Sequence, residues 1–403
     1  MKNRILNTTL CILVSSILIA TTSASFCIDG RLHKRCFMES NNALAFNKAS
    51  ISTHRLLTVK DYSEDSRKFR RKVFTHKDWI KHRSSNRTVK NLTTLLKSGI
   101  VRQTLTECLI TIFITICVYC YNLFFIYGFE DLSMVHHNPL VSTSLPPAVL
   151  PSVPFNFASP ALGLLLVFKT NTSYARWDDS RKAWGLIVNH TRDMVRMTAA
   201  KATPQDEENL RIFALYTWVF PRALTYHLLG EEDKQDFEED MREKLPSDIA
   251  EEMIGVRHKP IKALSNLSNQ LTKLTLSDIA MGNIENSITE LCNASGTCER
   301  IFSSPVPLVY TRHTSRFVAV WVLLLPFALW EPFGDGWNHI GMIPASIILS
   351  FFFFGIDELS VQLEEPFSVL PLHSITRGIE AASDEHVQWY DSKMKKEDQH
   401  PNL

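Results

Sequence analysis

The sequence predicts an all-α membrane protein with about four transmembrane helices and a helical soluble region. Three observations lead there. The 403-residue chain holds charge-free runs of bilayer length: residues 108–129 make 22 positions without Asp, Glu, Lys or Arg, and 138–168 and 337–356 are also uncharged. About 20 apolar residues suffice to cross a hydrocarbon core. Mean hydropathy is only −0.04, too low for a chain embedded from end to end, so soluble parts must accompany the spans. Between the apolar runs, hydrophobic residues recur at helical spacing, and no alternating β pattern or internal repeat is visible.

Charge is balanced overall, with 43 Lys and Arg against 42 Asp and Glu, which gives no footprint for a nucleic-acid partner. Locally it is not balanced: residues 1–90 carry 18 Lys or Arg and 6 Asp or Glu. Lys2 and Arg4 precede an apolar core at 10–20 and small residues at 21–25, the order of a signal peptide over 1–25. That core is too short to span a bilayer. Residues 26–72 are basic, acid-poor and contain Ser, Thr and Asn, like an organellar transit peptide. A signal peptide followed by Phe26 and such a stretch resembles the two-part leaders of algae with secondary plastids. The alternative is a secretory signal followed by a disordered basic tail.

The first membrane helix is expected over 108–129. Its Cys117 and Cys120 lie in an apolar run, where thiols behave as small hydrophobes. The run 138–168 opens with Pro139, Pro146, Pro147, Pro151 and Pro154, so its first half is no regular helix. A helix is expected to begin near Asn156 and to continue through Phe168 into a polar half over 169–197. A soluble stretch follows over 198–310, with helical spacing at 211–226 and 261–288. The acidic block 231–252 reads as solvated surface. Cys292 and Cys298 either close a small loop by a disulfide or stay unpaired. Residues 317–330 and 337–356 read as a hairpin of membrane helices, the first broken at Pro326 and extended at its start by 311–316. Pro332, Gly334 and Gly336 form its turn. The polar tail 384–403 is expected to be disordered.

Two clusters invite a functional reading. Pro160, Leu164 and Phe168 are four apart and stack on one helix face, as do Phe157, Ala161 and Leu165. With Ala158, Ser159 and Gly163 nearby, the face suits either close helix contact or a narrow apolar pore formed by several copies. Just beyond stand Lys169, Arg176, Asp178, Asp179, Arg181 and Lys182, for salt bridging or for a cationic vestibule. The second cluster is Asp357, Glu358, Glu364 and Glu365, directly after an apolar run. Carboxylates there are costly unless they face protein, water or cations. His190 and His313 are expected as structural histidines. No Gly-rich phosphate loop, zinc-spaced Cys/His set or G-x-S-x-G elbow occurs, so neither an enzyme nor a cofactor or metal is expected.

Three long, irregular segments carry a resemblance: FKTNTSYARWDDSRKAWG at 168–185, PVPLVYTRHTSR at 305–316 and GIDELSVQLEEPFSVLPL at 355–372. In this order they resemble the bestrophin family in its plant and bacterial branch, over about residues 75–380. The resemblance implies a channel domain over 73–383 and a homopentamer in the lipid bilayer around one anion pathway. It implies a pore neck of Pro160, Ala161, Leu164 and Phe168, an anion vestibule of Lys169, Arg176 and Arg181, and a structural junction of Asp357, Glu358, Glu364 and Glu365. It also implies chloride passage in the thylakoid membrane, or bicarbonate passage in a carbon-concentrating role. Animal members follow the third segment with an Asp run that clasps calcium. Residues 368–372 here are Ser-Val-Leu-Pro-Leu, poor in the oxygen ligands calcium needs.

Overall fold

The computed structural model describes residue 67 and residues 71–95, 98–132, 134–140, 145–334 and 337–399. The expected signal peptide over 1–25 lies outside the described residues, as does most of the expected leader over 26–72. Two compact units divide the chain, with 118–149 in one and 62–117 plus 150–403 in the other.

Short helices α1 (His76–His82), α2 (Arg87–Thr93) and α3 (Gly99–Gln103) precede α4 (Leu105–Cys120). Thr75 and Asp78 form a reciprocal capping box that starts α1. A π-helical turn, Tyr121–Tyr127, prolongs α4, and Leu105–Tyr127 is long and apolar enough to cross a membrane. Within the unit holding 118–149, Gly128 turns the chain at φ +83°; a Cβ there would sit 2.2 Å from the His137 carbonyl oxygen. Strands β1 (Phe129–Glu130) and β2 (His136–His137) then pair antiparallel. The Asn122 side chain holds Ala148 like a strand partner: Ala148 N donates to Oδ1 at 2.8 Å and Nδ2 donates to the carbonyl at 3.1 Å.

The second unit is organised around α5 (Val153–Lys201), a single helix of 49 residues. It begins before the expected Asn156 because Pro154 falls in the first turn, where proline needs no amide partner. Pro160 lies inside the helix and leaves the Asn156 carbonyl without its usual donor. The polar half packs with α6 (Glu207–Leu229), α9 (Lys259–Leu271), α10 (Asp278–Ser303) and α13 (Leu372–Gln399), joined by α7 (Lys234–Lys244) and α8 (Ser247–Gly255). Trp184, Ile187, Met194, Phe213, Phe220, Phe367 and Ile379 are fully buried in this core. Buried Thr191, Thr198, Thr217 and Thr225 each donate to the carbonyl four residues back, and the Thr225 hydroxyl also meets Thr376 of α13 at 3.2 Å. The apolar half of α5 packs Leu162 and Leu166 against Val318, Trp321, Val322 and Leu325 of α11 (Leu308–Leu329). Helix α12 (Met342–Glu364) completes this layer.

Several expectations need correction. The stretch 261–288 is two helices, because α9 ends at Leu271 and Ser277 caps a new start. Residues 384–399 are helix, not a disordered tail. Ile375, Ile379, Ser383, Val387 and Tyr390 line one buried face of α13, a helical period hidden by its charges. The segment 293–297 is α10 helix rather than a loop, so Cys292 and Cys298 stay unpaired, and burial pushes the Cys298 thiol up to about 12. The acidic block is not all solvated: Asp233 is buried against Arg222 at 2.6 Å, and Asp240 also pairs with that guanidinium. Pro326 sits within α11 without ending it, and α12 carries the acidic cluster to Glu364. Three helices among the described residues, not four, are long and apolar enough to span. Helix α11 falls short because Arg312 and Arg316 open an apolar run of only 14 residues, 317–330.

Candidate functional site

Along its apolar half, α5 has two unlike faces. Leu162, Leu166, Lys169 and Ser173 are buried against the rest of the chain. Three or four positions away, Phe157, Pro160, Ala161, Leu164 and Phe168 form an exposed stripe, with Phe157 at 81 %, Leu164 at 55 % and Phe168 at 53 % exposure. All four expected neck residues therefore share one open face. An apolar stripe several turns long needs a partner, a lipid phase or a pore.

The polar residues behind the stripe do not share one role. Lys169 is 2 % exposed. Its Nζ donates to Asp357 Oδ1 at 2.5 Å and to Ser315 Oγ at 3.1 Å, and Ser315 Oγ donates to Asp357 Oδ2 at 2.9 Å. This closed triad ties α5, α11 and α12 together. Lys169 thus turns away from the stripe, and its charge is neutralised, which corrects the expectation that it lines a vestibule. Thr170 and Ser360 hydroxyls meet one turn on at 3.1 Å.

Arg176 is corrected too. Its guanidinium donates to the Glu364 carbonyl at 2.8 Å, to Ser304 at 2.7 Å and to Ile301 at 2.6 Å. These are terminal carbonyls of α12 and α10, which lack partners inside their own helices. Arg176 is a shared C-terminal cap. Arg176→Met is expected to lower stability by about 2–3 kcal/mol, since three acceptors lose a charged donor. Arg176→Lys should recover little, because one ammonium lacks the planar fork. Thermal melting in detergent measures both; unchanged melting for Arg176→Met would remove the cap from the account. Arg181 is exposed, with no ion pair among the described residues, and it alone of the three expected vestibule cations keeps an open charge. Asp178 and Lys182 form their i,i+4 pair at 2.6 Å.

The four acidic residues each have protein partners, and two of them hold backbone amides. Asp357 belongs to the triad above. Glu358 accepts from Gln362 Nε2 at 2.7 Å. Glu364 Oε1 accepts from Val306 N at 3.0 Å, just before α11 begins. Glu365 accepts from the Phe367 and Ser368 amides at 3.0 and 3.3 Å. Arg67 meets its Oε2 at 3.2 Å, and Arg71 Nε donates to the Ser368 carbonyl at 2.7 Å. The sequence reading missed these two arginines by placing them in a leader ending at 72. Their four-residue spacing in a basic run was the available signal. Beyond them Phe367, Leu370 and Leu372 are buried in the same core as Trp184 and Phe213. His190 and His313, expected as satisfied histidines, have no hydrogen-bond partner among the described residues, and His313 is exposed.

The family model for the bacterial/fungal bestrophin protein matches residues 78–385. The chain belongs to the bestrophin family. This bestrophin is 30 % identical to voltage-dependent chloride channel 2, chloroplastic, of Arabidopsis thaliana over 321 residues, 79 % of this chain and 74 % of that one. It is 31 % identical to a voltage-dependent anion channel-forming protein of Nostoc over 255 residues, 58 % of this chain and 75 % of that one. The bacterial bestrophin homolog structure from Klebsiella pneumoniae aligns with a TM-score of 0.58 at 25 % identity, covering 70 % of this chain and 98 % of that one.

Proposed function

We propose that this bestrophin is the subunit of an anion-selective channel that passes chloride across a plastid membrane, the thylakoid membrane in particular, and balances charge moved with protons. One observation carries the reading: the stripe Phe157–Pro160–Ala161–Leu164–Phe168 stands open on a helix whose other face is packed. Copies arranged as the family resemblance implies, in a pentamer, turn that stripe inward as an apolar neck. Such a constriction gates by wetting, and ring edges of Phe168 present positive charge to an anion. The charged triad at Lys169 holds the back of the helix, so the neck stays apolar. Helix α11 then serves as a fourth membrane element, its polar start at the boundary. The plastid assignment rests on chloroplastic relatives and the leader-like N-terminal composition. No relative's name supports the bicarbonate alternative.

The test is current through the purified chain in planar bilayers. Chloride currents are expected, with Phe168→Ala changing unitary conductance severalfold while leaving assembly intact. Identical currents from Phe168→Ala would place the neck elsewhere, and a silent wild-type chain would sink the channel reading.

A further inference from the structure

We propose that His227, His258 and Glu299 form a binding site for a divalent transition metal of the zinc class. The site lies in the soluble region, away from the α5 stripe, and stands independently of the channel reading. His227 occupies the last turn of α6, His258 is the residue before α9, and Glu299 lies near the end of α10. Their ligand atoms all fall within 4.8 Å of one another.

The geometry suits a metal. His258 Nε2 is 3.2 Å from Glu299 Oε1, and His227 Nε2 is 3.6 Å from the same oxygen. Ligands about 2.0 Å from a tetrahedral ion stand about 3.3 Å apart, so both distances approximate edges of such a tetrahedron. Two imidazoles and one carboxylate supply three positions and leave the fourth for water. That donor set suits zinc and its neighbours; calcium and magnesium require more oxygens.

His258 Nδ1 is buried without a partner, and Nε2 is the nitrogen of that ring turned to Glu299. The neighbouring Lys259 donates to the Val256 carbonyl at 2.9 Å and lies over the Tyr226 ring at 5.2 Å. Its charge is directed at those partners. A bound ion would fasten α6, α9 and α10 at one point.

The experiment uses the purified full-length chain, stripped by chelator and titrated with Zn²⁺ while thermal unfolding is followed in detergent. Saturating Zn²⁺ is expected to raise the melting temperature by about 4–8 °C. Glu299→Gln and His227→Asn, each compared with its own metal-free melt, should need at least about tenfold more Zn²⁺ for the same shift. Direct Zn²⁺ competition against a chromophoric chelator reads the same affinities if either variant melts early. No shift in the wild type, an equal shift with Mg²⁺, or affinity unchanged in both variants would each overturn the site.

Discussion

Lys169→Met is expected to destabilise the folded chain by about 3–5 kcal/mol. The reason is what remains. Asp357 would keep its charge in a low-dielectric setting with only the Ser315 hydroxyl as donor. Asp357→Leu strands the ammonium of a nearly fully buried lysine and should cost as much. The double variant Lys169→Met/Asp357→Leu removes both charges and should recover most of the loss, because well-packed apolar pairs replace buried ion pairs at little cost. Thermal melting of the four proteins in detergent gives the coupling directly. Additive losses in the double variant would mean that the two side chains do not pair in the folded molecule.

Leu164→Glu is expected to invert the ion preference of the channel. Half the Leu164 side chain is open, so the substitution should change stability by no more than about 0.5 kcal/mol. One carboxylate from every subunit would then face the neck, and rings of Asp or Glu favour cations. Under a KCl gradient the reversal potential should move from the chloride side to the potassium side. Leu162→Glu is the contrasting control: that position is 0 % exposed, and an unpaired carboxylate there should prevent folding outright. A Leu164→Glu channel that keeps its chloride reversal potential would show that α5 presents another face to the ions.

Uncharged length at 108–129 and 337–356 made two candidate spans readable, spacing put Pro160, Leu164 and Phe168 on one face of α5, and the family resemblance named the neck set. What spacing could not give was direction across the helix. Lys169 and Phe168 are adjacent in the chain, yet one is buried and the other open. Only the presence of Asp357, 188 positions away, decides that the ammonium turns inward. The same holds for Arg176, whose acceptors belong to helix ends far along the chain. Composition misled at both ends of the domain. Basic charge disguised Arg67 and Arg71 as leader, and polar content disguised α13 as tail, although Ile375, Ile379 and Val387 carry its period.

Because α5 runs unbroken from Val153 to Lys201, about 73 Å at 1.5 Å per residue, it behaves as one shaft with two fixed loads. Its upper stripe and its buried lower residues, such as Trp184 and Met194, are locked in angular phase. A single inserted residue between Phe168 and Ser180 would twist one end by about 100° against the other. Seven residues would restore the phase to within about 20°. Length changes between Phe168 and Ser180 are therefore restricted to nearly whole pairs of turns.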